Sequence, residues 1–145
     1  MVETLLTTIE PLLKSQSSMK VEVQGLGVFP QIRRPRILWI GCTGEMASLV
    51  NLVSQIESAL ETLGYPLESK PYHPHLTLAR IKHDNSKVGG MLIQSGLLNH
   101  PYQLGTLCIR RISLIRSDLG VSGARYTPLW TVSLNEPIPD SSTFR

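Results

Sequence analysis

The stretch from Pro71 to Arg80 contains the side chains best suited to chemistry, in the order Pro-Tyr-His-Pro-His-Leu-Thr-Leu-Ala-Arg. If a strand begins at His75, alternation places His75 and Thr77 on one face and the leucines at 76 and 78 on the other. An imidazole can take up or release a proton near neutral pH, and a hydroxyl can donate a hydrogen bond to a phosphate oxygen. The spacing therefore predicts proton transfer at a phosphate, with the two leucines anchoring the opposite face in a core.

Each of these residues also has a purely structural interpretation. A lone histidine in a strand is more often structural than catalytic, and threonine is a common β-branched strand residue. The nearby side chains of Tyr72, His73 and Arg80 favour the catalytic interpretation of His75. We therefore predict His75 and Thr77 as the catalytic residues.

Four further residues are predicted to bind the substrate. His73 is two residues before His75, so both would lie on the same face of an uninterrupted strand. The proline between them disturbs a strand, so the predicted role of His73 is a supporting one. Arg80 falls on the leucine face by strict alternation and reaches the site only if the strand twists or ends there. Arg36 belongs to a basic segment that could form an anion patch, and Tyr126 could stack on a base or bind a phosphate. A solvated turn and an ordinary strand aromatic are the alternatives for these two.

Metal binding is not predicted. The two histidines at 73 and 75 could begin a zinc site, but no third ligand stands at a recognisable spacing.

Composition indicates an ordinary folded domain. The 145 residues are 41% hydrophobic and 17% charged, so residues 1–145 are predicted to form a single domain with a buried core. The net charge of +3 mildly favours anionic partners but is far from that of a dedicated nucleic-acid binder. There is no CxxC motif, no apolar run of membrane-spanning length and no signal-peptide pattern, which together predict a cytoplasmic protein without membrane partners.

Apolar periodicity predicts an α+β fold. Helical spacing covers 2–15 and 45–63, an ambiguous short helix covers 86–98, and strands cover 19–29, 36–42, 75–80, 103–117 and 126–134. The first two strands suggest an antiparallel hairpin, with a bulge marked by the glycines at 25 and 27. We expect antiparallel sheets with helices packed on their outer face, and a loose tail over 135–145.

With these residues in view, the chain resembles the 2'-5' RNA ligase family of the 2H phosphoesterases, also called RNA 2',3'-cyclic phosphodiesterases. Segments of the type Phe-His-Pro-His-Leu-Thr-Leu are typical of that family and correspond to Tyr72–Leu78 here. The resemblance covers roughly residues 2–134 and includes, in the same order, Gly25–Pro30, Arg34–Gly41, the helix at 45–63, Tyr72–Arg80 and the hairpin from Ile112 to Tyr126.

The resemblance implies a bilobal fold with one His-x-Thr-x motif in each lobe. It also implies that a 2',3'-cyclic phosphate at an RNA end is opened to a 2'-phosphate without metal or cofactor, and that RNA ends can be joined through 2'-5' linkages in the reverse sense. In such proteins one histidine is the base, the other is the acid, and the threonines hold the phosphate. His75 and Thr77 match the second motif, which implies the role of base for His75 and of phosphate donor for Thr77.

The sequence departs from that pattern at the first motif. Of its four histidines, only His75 is followed two places later by threonine. We therefore expect an N-terminally shortened member with one lobe incomplete, which would impair activity and favour homo-oligomers through an exposed sheet edge of that lobe. The alternatives are a non-catalytic module that binds RNA ends or nucleotide phosphates, and an inactive remnant.

Overall fold

The computed structural model describes residues 1–136, which form three α-helices, one short 3-10 helix and six strands. In chain order these are α1 (Val2–Lys14), β1 (Met19–Phe29), β2 (Ile37–Gly44), α2 (Met46–Thr62), β3 (His75–Arg80), α3 (Asn85–Ser95), the 3-10 helix (Leu97–Asn99), β4 (Gln103–Ile109), β5 (Arg111–Gly120) and β6 (Gly123–Ser133). The pairs β1–β2, β2–β3 and β5–β6 are antiparallel. The predicted α+β class is therefore confirmed.

The single strand predicted over 103–117 is instead two strands. β4 ends at Ile109 and β5 begins at Arg111, with only Arg110 between them. β4 belongs to a four-stranded sheet of order β3-β2-β1-β4, whereas β5 pairs with β6 in a two-stranded sheet. The prediction was wrong because a continuous run of strand-forming residues does not reveal that its two halves pair with different partners.

The chain packs into two compact units. The hairpin unit consists of residues 1–19, 47–70 and 108 onward, and the sheet unit consists of residues 20–46 and 71–107. Core residues of the hairpin unit are Ile9, Leu13, Leu49, Leu52, Val132 and Leu134, and those of the sheet unit include Val21, Val23 and Ile40. The single domain expected over 1–145 stays a prediction.

Helix α1 continues through Pro11, although a proline inside a helix removes a backbone hydrogen bond. Ile9 and Leu13 bury one side of the helix, so packing stabilises it despite the proline. Asn135 bonds the end of α1, donating its side-chain amide to the Lys14 carbonyl at 2.5 Å. The predicted loose tail begins at this residue, and from 137 onward it lies outside the described residues.

Among the described helices, none combines the length and the apolar character that crossing a membrane requires.

The bulge predicted in β1 is present. The pairing of β1 with β2 shifts register between Val23 and Leu26, and Gly25 has φ of 78°. Glycine adopts this left-handed conformation without the steric penalty of a side chain. In the same sheet β3 lies at an edge, beside β2.

Candidate active site

His75 and Thr77 share one face of the sheet unit. His75 pairs with Gly41 of β2, and Thr77 pairs with Trp39. Because Gly41 and Trp39 are two residues apart, their β3 partners point to the same side. The predicted juxtaposition of an imidazole and a hydroxyl is therefore present, and we call this side the catalytic face.

Arg80 also lies on the catalytic face, for a reason that strict alternation did not predict. Arg80 pairs with Ile37, which is two residues from Trp39, and the register shift leaves Leu78 as an extra residue in β3. One extra residue changes the parity of the strand. Among the described residues no carboxylate forms an ion pair with Arg80, so its guanidinium is available to an anion beyond Thr77.

The prediction that Leu76 and Leu78 anchor β3 in a core is wrong. Their exposed fractions are 47% and 50%, and all six residues of β3 are exposed. Alternation tells which side chains share a face, but burial depends on whether another element covers that face. The side chains of the catalytic face are therefore oriented by contacts other than burial of these two leucines.

A hydrogen bond orients the His75 ring. Its Nδ1 lies 2.7 Å from the backbone carbonyl oxygen of His73. A carbonyl can only accept, so Nδ1 carries the proton and donates it. In the neutral ring the lone pair is then on Nε2, the nitrogen that can act as a general base. The proline at 74 limits the backbone between the two histidines and thereby favours this short-range contact.

Four rings, including that of His75, pack together. The ring of Phe29 meets that of His75 nearly at right angles with centroids 5.1 Å apart, and Trp39 contacts both Phe29 at 5.1 Å and His73 at 4.7 Å. The edge-to-face contact of Phe29 with His75 is favourable and directional. We call Phe29, Trp39, His73 and His75 the aromatic cluster. His73 therefore contributes both its carbonyl and its ring to the support of His75.

Sequence reasoning missed Phe29 and Trp39 as site residues. The available signal was the hairpin predicted from 19–29 and 36–42, which brings the end of the first strand beside the start of the second. Gly27 pairs with Trp39 and makes room for it, because a Cβ at position 27 would overlap the indole ring. The glycine thus permits the cluster to form.

Arg36 lies toward the other end of β3 from His75. The first residue of β2 pairs with Arg80 and the fifth with His75, a separation of about 14 Å along the strand. Exposed Arg36 lines an open cavity of about 520 Å³ together with Arg34 and Lys87. The structure thus does not bring Arg36 beside His75, and its role in substrate binding stays a prediction.

Two tyrosines have different surroundings. Tyr126 lies on β6 in the hairpin unit and is 68% exposed, and its predicted role is not tested by this position. Tyr72 stands before His73, and burial, followed by the charge of nearby Cys42, raises the pKa of its hydroxyl. The Tyr72 hydroxyl therefore stays protonated at neutral pH.

Within residues 1–136, no three His, Cys, Asp or Glu side chains gather as metal ligands, and metal-free chemistry stays a prediction.

Comparison with known proteins identifies a family and several relatives. A family model described as the 2'-5' RNA ligase superfamily matches residues 1–120. The chain is 32% identical over 115 residues to the RNA 2',3'-cyclic phosphodiesterase of Aeropyrum pernix, covering 78% of this chain and 63% of that protein. It is 31% identical over 124 residues to the RNA 2',3'-cyclic phosphodiesterase of Aquifex aeolicus, covering 85% of this chain and 64% of that protein. The matched region thus spans slightly less than two thirds of either relative.

Solved structures share the fold. The crystal structure of TT0787 of Thermus thermophilus matches with a TM-score of 0.73 at 25% identity, covering 93% of this chain and 70% of that one. The crystal structure of E. coli LigT in its apo form matches with a TM-score of 0.69 at 21% identity, covering 93% of this chain and 68% of that one.

Proposed function

The chain belongs to the 2'-5' RNA ligase superfamily, and from this premise we propose that it opens 2',3'-cyclic phosphates at RNA ends without a metal. One observation carries the proposal. The bond from His75 Nδ1 to the His73 carbonyl leaves Nε2 as the basic nitrogen, on the face that also holds Thr77 and Arg80. The relatives named RNA 2',3'-cyclic phosphodiesterase support the choice of substrate.

In the proposed reaction His75 Nε2 accepts a proton from a water molecule as that water attacks phosphorus. The bond from phosphorus to the 3' oxygen breaks, which leaves a 2'-phosphate and a 3'-hydroxyl. Thr77 donates a hydrogen bond to a non-bridging oxygen, and Arg80 balances its negative charge. His73, Arg36 and Tyr126 complete substrate binding in this proposal. A 5'-hydroxyl in place of water would join two RNA ends by a 2'-5' linkage.

The departing 3' oxygen needs a proton from an acid on the side of phosphorus opposite His75. We propose that a second copy of the chain supplies the other histidine through self-association. Support comes from β5–β6, a two-stranded sheet with an unpaired edge on each strand among the described residues and with Leu119 88% exposed near its turn. Light scattering should find dimers at micromolar concentration, whereas a stable monomer would contradict this part of the proposal.

A second candidate function is binding of RNA ends without catalysis. The placement of Thr77 and Arg80 on one face of β3 favours it, because a hydroxyl donor and a cation bind a phosphate whether or not a proton is transferred. Such a module would retain the phosphate contacts of Thr77 and Arg80 and show no turnover.

The test uses an RNA that ends in a 2',3'-cyclic phosphate, incubated with the purified protein and a metal chelator. We expect hydrolysis to a 2'-phosphate, and His75→Ala should lower the rate by about 10²–10⁴-fold. His83→Ala is the matched control, because His83 is an exposed loop histidine outside the aromatic cluster. Equal background for wild type and His75→Ala, with RNA binding retained, would favour the binding module instead.

We also propose a cytoplasmic location. RNA ends are found there, and a reducing compartment keeps thiols in the free state that Cys42 and Cys108 have.

A further inference from the structure

Three polar side chains form a hydrogen-bonded row across the sheet unit. Gln24 of β1 donates from Nε2 to Thr43 Oγ1 of β2 at 2.7 Å. Gln103 of β4 donates from Nε2 to Gln24 Oε1 at 3.0 Å. Thr43 and Gln103 are exposed, and Gln24 is half-buried. We call these three residues the amide row.

The amide row lies on the catalytic face. Thr43 is two residues beyond Gly41, the residue that pairs with His75, so Thr43 and His75 point to the same side of the sheet. The two positions are separated by about 5 Å across the strands and about 7 Å along them. A nucleoside spans a comparable distance from its 2',3'-phosphate to the edge of its base.

The row holds hydrogen-bonding groups that its internal bonds do not use. The Thr43 oxygen accepts from Gln24, so its hydroxyl proton is free to be donated. Gln24 keeps a second amide N–H, and the Gln103 carbonyl oxygen has no partner among the described residues. Because each side chain is already fixed by its neighbour, a ligand that bonds them meets a preorganised set of donors and acceptors.

A neighbouring carboxylate makes a nucleobase a better ligand for the amide row than a phosphate. Glu22 is opposite Thr43 in the register and accepts from the Thr106 hydroxyl at 3.0 and 3.2 Å. Its negative charge on the same side disfavours an RNA phosphate at this position. A neutral nucleobase carries donors and acceptors along its edge and meets no such repulsion.

We propose that the amide row binds the base edge of the terminal nucleotide and makes the protein selective for the base at the RNA end. The proposal rests on the function proposed above and extends it to a base-binding subsite. It predicts discrimination in binding as well as in turnover.

The test measures binding of four short RNAs that end in a 2'-phosphate and differ only in the terminal base. These are reaction products, so fluorescence anisotropy reports binding without turnover. Wild type should prefer its best base over its weakest by about fivefold or more, as one or two hydrogen bonds allow. Gln24→Leu and Gln103→Leu should reduce that ratio to about twofold or less, because leucine keeps the bulk of glutamine but makes no hydrogen bond.

Gln94→Leu on α3 is the matched control and should keep the wild-type ratio, since Gln94 is an exposed helix residue of the same unit. Gln103→Leu on an edge strand keeps the test open if Gln24→Leu fails to fold. Equal binding of all four RNAs by wild type, or no binding, would overturn the subsite, and so would an unchanged ratio in both variants. Hydrolysis measured separately keeps the two proposals apart, because base-selective binding without hydrolysis would contradict only the proposed function.

Discussion

β3 and the β5–β6 hairpin are both exposed antiparallel strands that carry predicted substrate residues, but they differ in how those residues are supported. The ring of His75 on β3 is held by the His73 carbonyl and by the edge-on ring of Phe29. Tyr126 on β6 is 68% exposed. Exposure alone therefore does not mark a site. What distinguishes β3 is that contacts from β1 and from the preceding loop fix the direction of a reactive nitrogen.

The largest contrast between the two regions should come from a matched pair of threonines. Thr77→Val removes the proposed phosphate donor and should slow cyclic-phosphate hydrolysis by about 10²-fold, in the range found when one transition-state hydrogen-bond donor is lost. Thr127→Val makes the same change on β6 and should leave the rate within about twofold. Steady-state kinetics on the two variants measures both effects. Equal losses would show that the phosphate donor is not particular to β3.

A pair of glycines tests the packing behind β3. Gly27→Ala adds a Cβ that would overlap the Trp39 ring, so we expect a loss of unfolding free energy of about 1–3 kcal/mol. Gly120→Ala on the hairpin places its Cβ 3.6 Å from the Gly123 carbonyl oxygen, an ordinary contact, and should change stability by less than about 0.5 kcal/mol. Urea denaturation compares the two. If Gly27→Ala changed the unfolding free energy as little as Gly120→Ala, the close packing of Trp39 against position 27 would not contribute to stability.

Arginines on the two regions give a smaller contrast. Arg80 lies on the catalytic face, so Arg80→Gln should raise KM about tenfold through the loss of a charge-assisted contact to phosphate. Arg111→Gln removes an exposed charge at the start of β5 and should change KM by about twofold at most. If Arg80→Gln binds RNA as tightly as wild type, the bulge at Leu78 does not serve substrate binding.

The smallest effect is expected at Tyr126. If its ring stacks on a base, Tyr126→Ala should raise KM about fivefold, at the low end of the range for stacking, and leave kcat unchanged. Tyr126→Phe keeps the ring and should behave as wild type. A loss in Tyr126→Phe equal to that in Tyr126→Ala would point to the hydroxyl rather than the ring.

Much of the site's framework could be predicted from the sequence, because strong periodicity and glycine signals agree with the packing. The bounds of β3 and the bulge at Gly25 were predicted, and α2 differs from its predicted range by one residue at each end. The family resemblance was carried by residues 71–80 and the segments around them, and the family match together with the fold shared by the solved structures confirms it.

The remaining features depend on contacts that no local pattern records. The bulge at Leu78 contains no glycine to mark it, so the face of Arg80 was not predictable. The exposure of Leu76 depends on which elements cover an edge strand. The acceptor for His75 is a backbone carbonyl, and every residue carries one, so side-chain reasoning about His73 could not single it out.

The most direct test of the central claim is the tautomer of His75, measured by nitrogen NMR of the ring at an alkaline pH where imidazoles are neutral. We expect a proton on Nδ1, bonded to the His73 carbonyl, and a free lone pair on Nε2. His83 and His100 in the same spectrum serve as internal references. A His75 ring that carries its proton on Nε2 would contradict this assignment, because the nitrogen proposed as the general base could then not accept a proton.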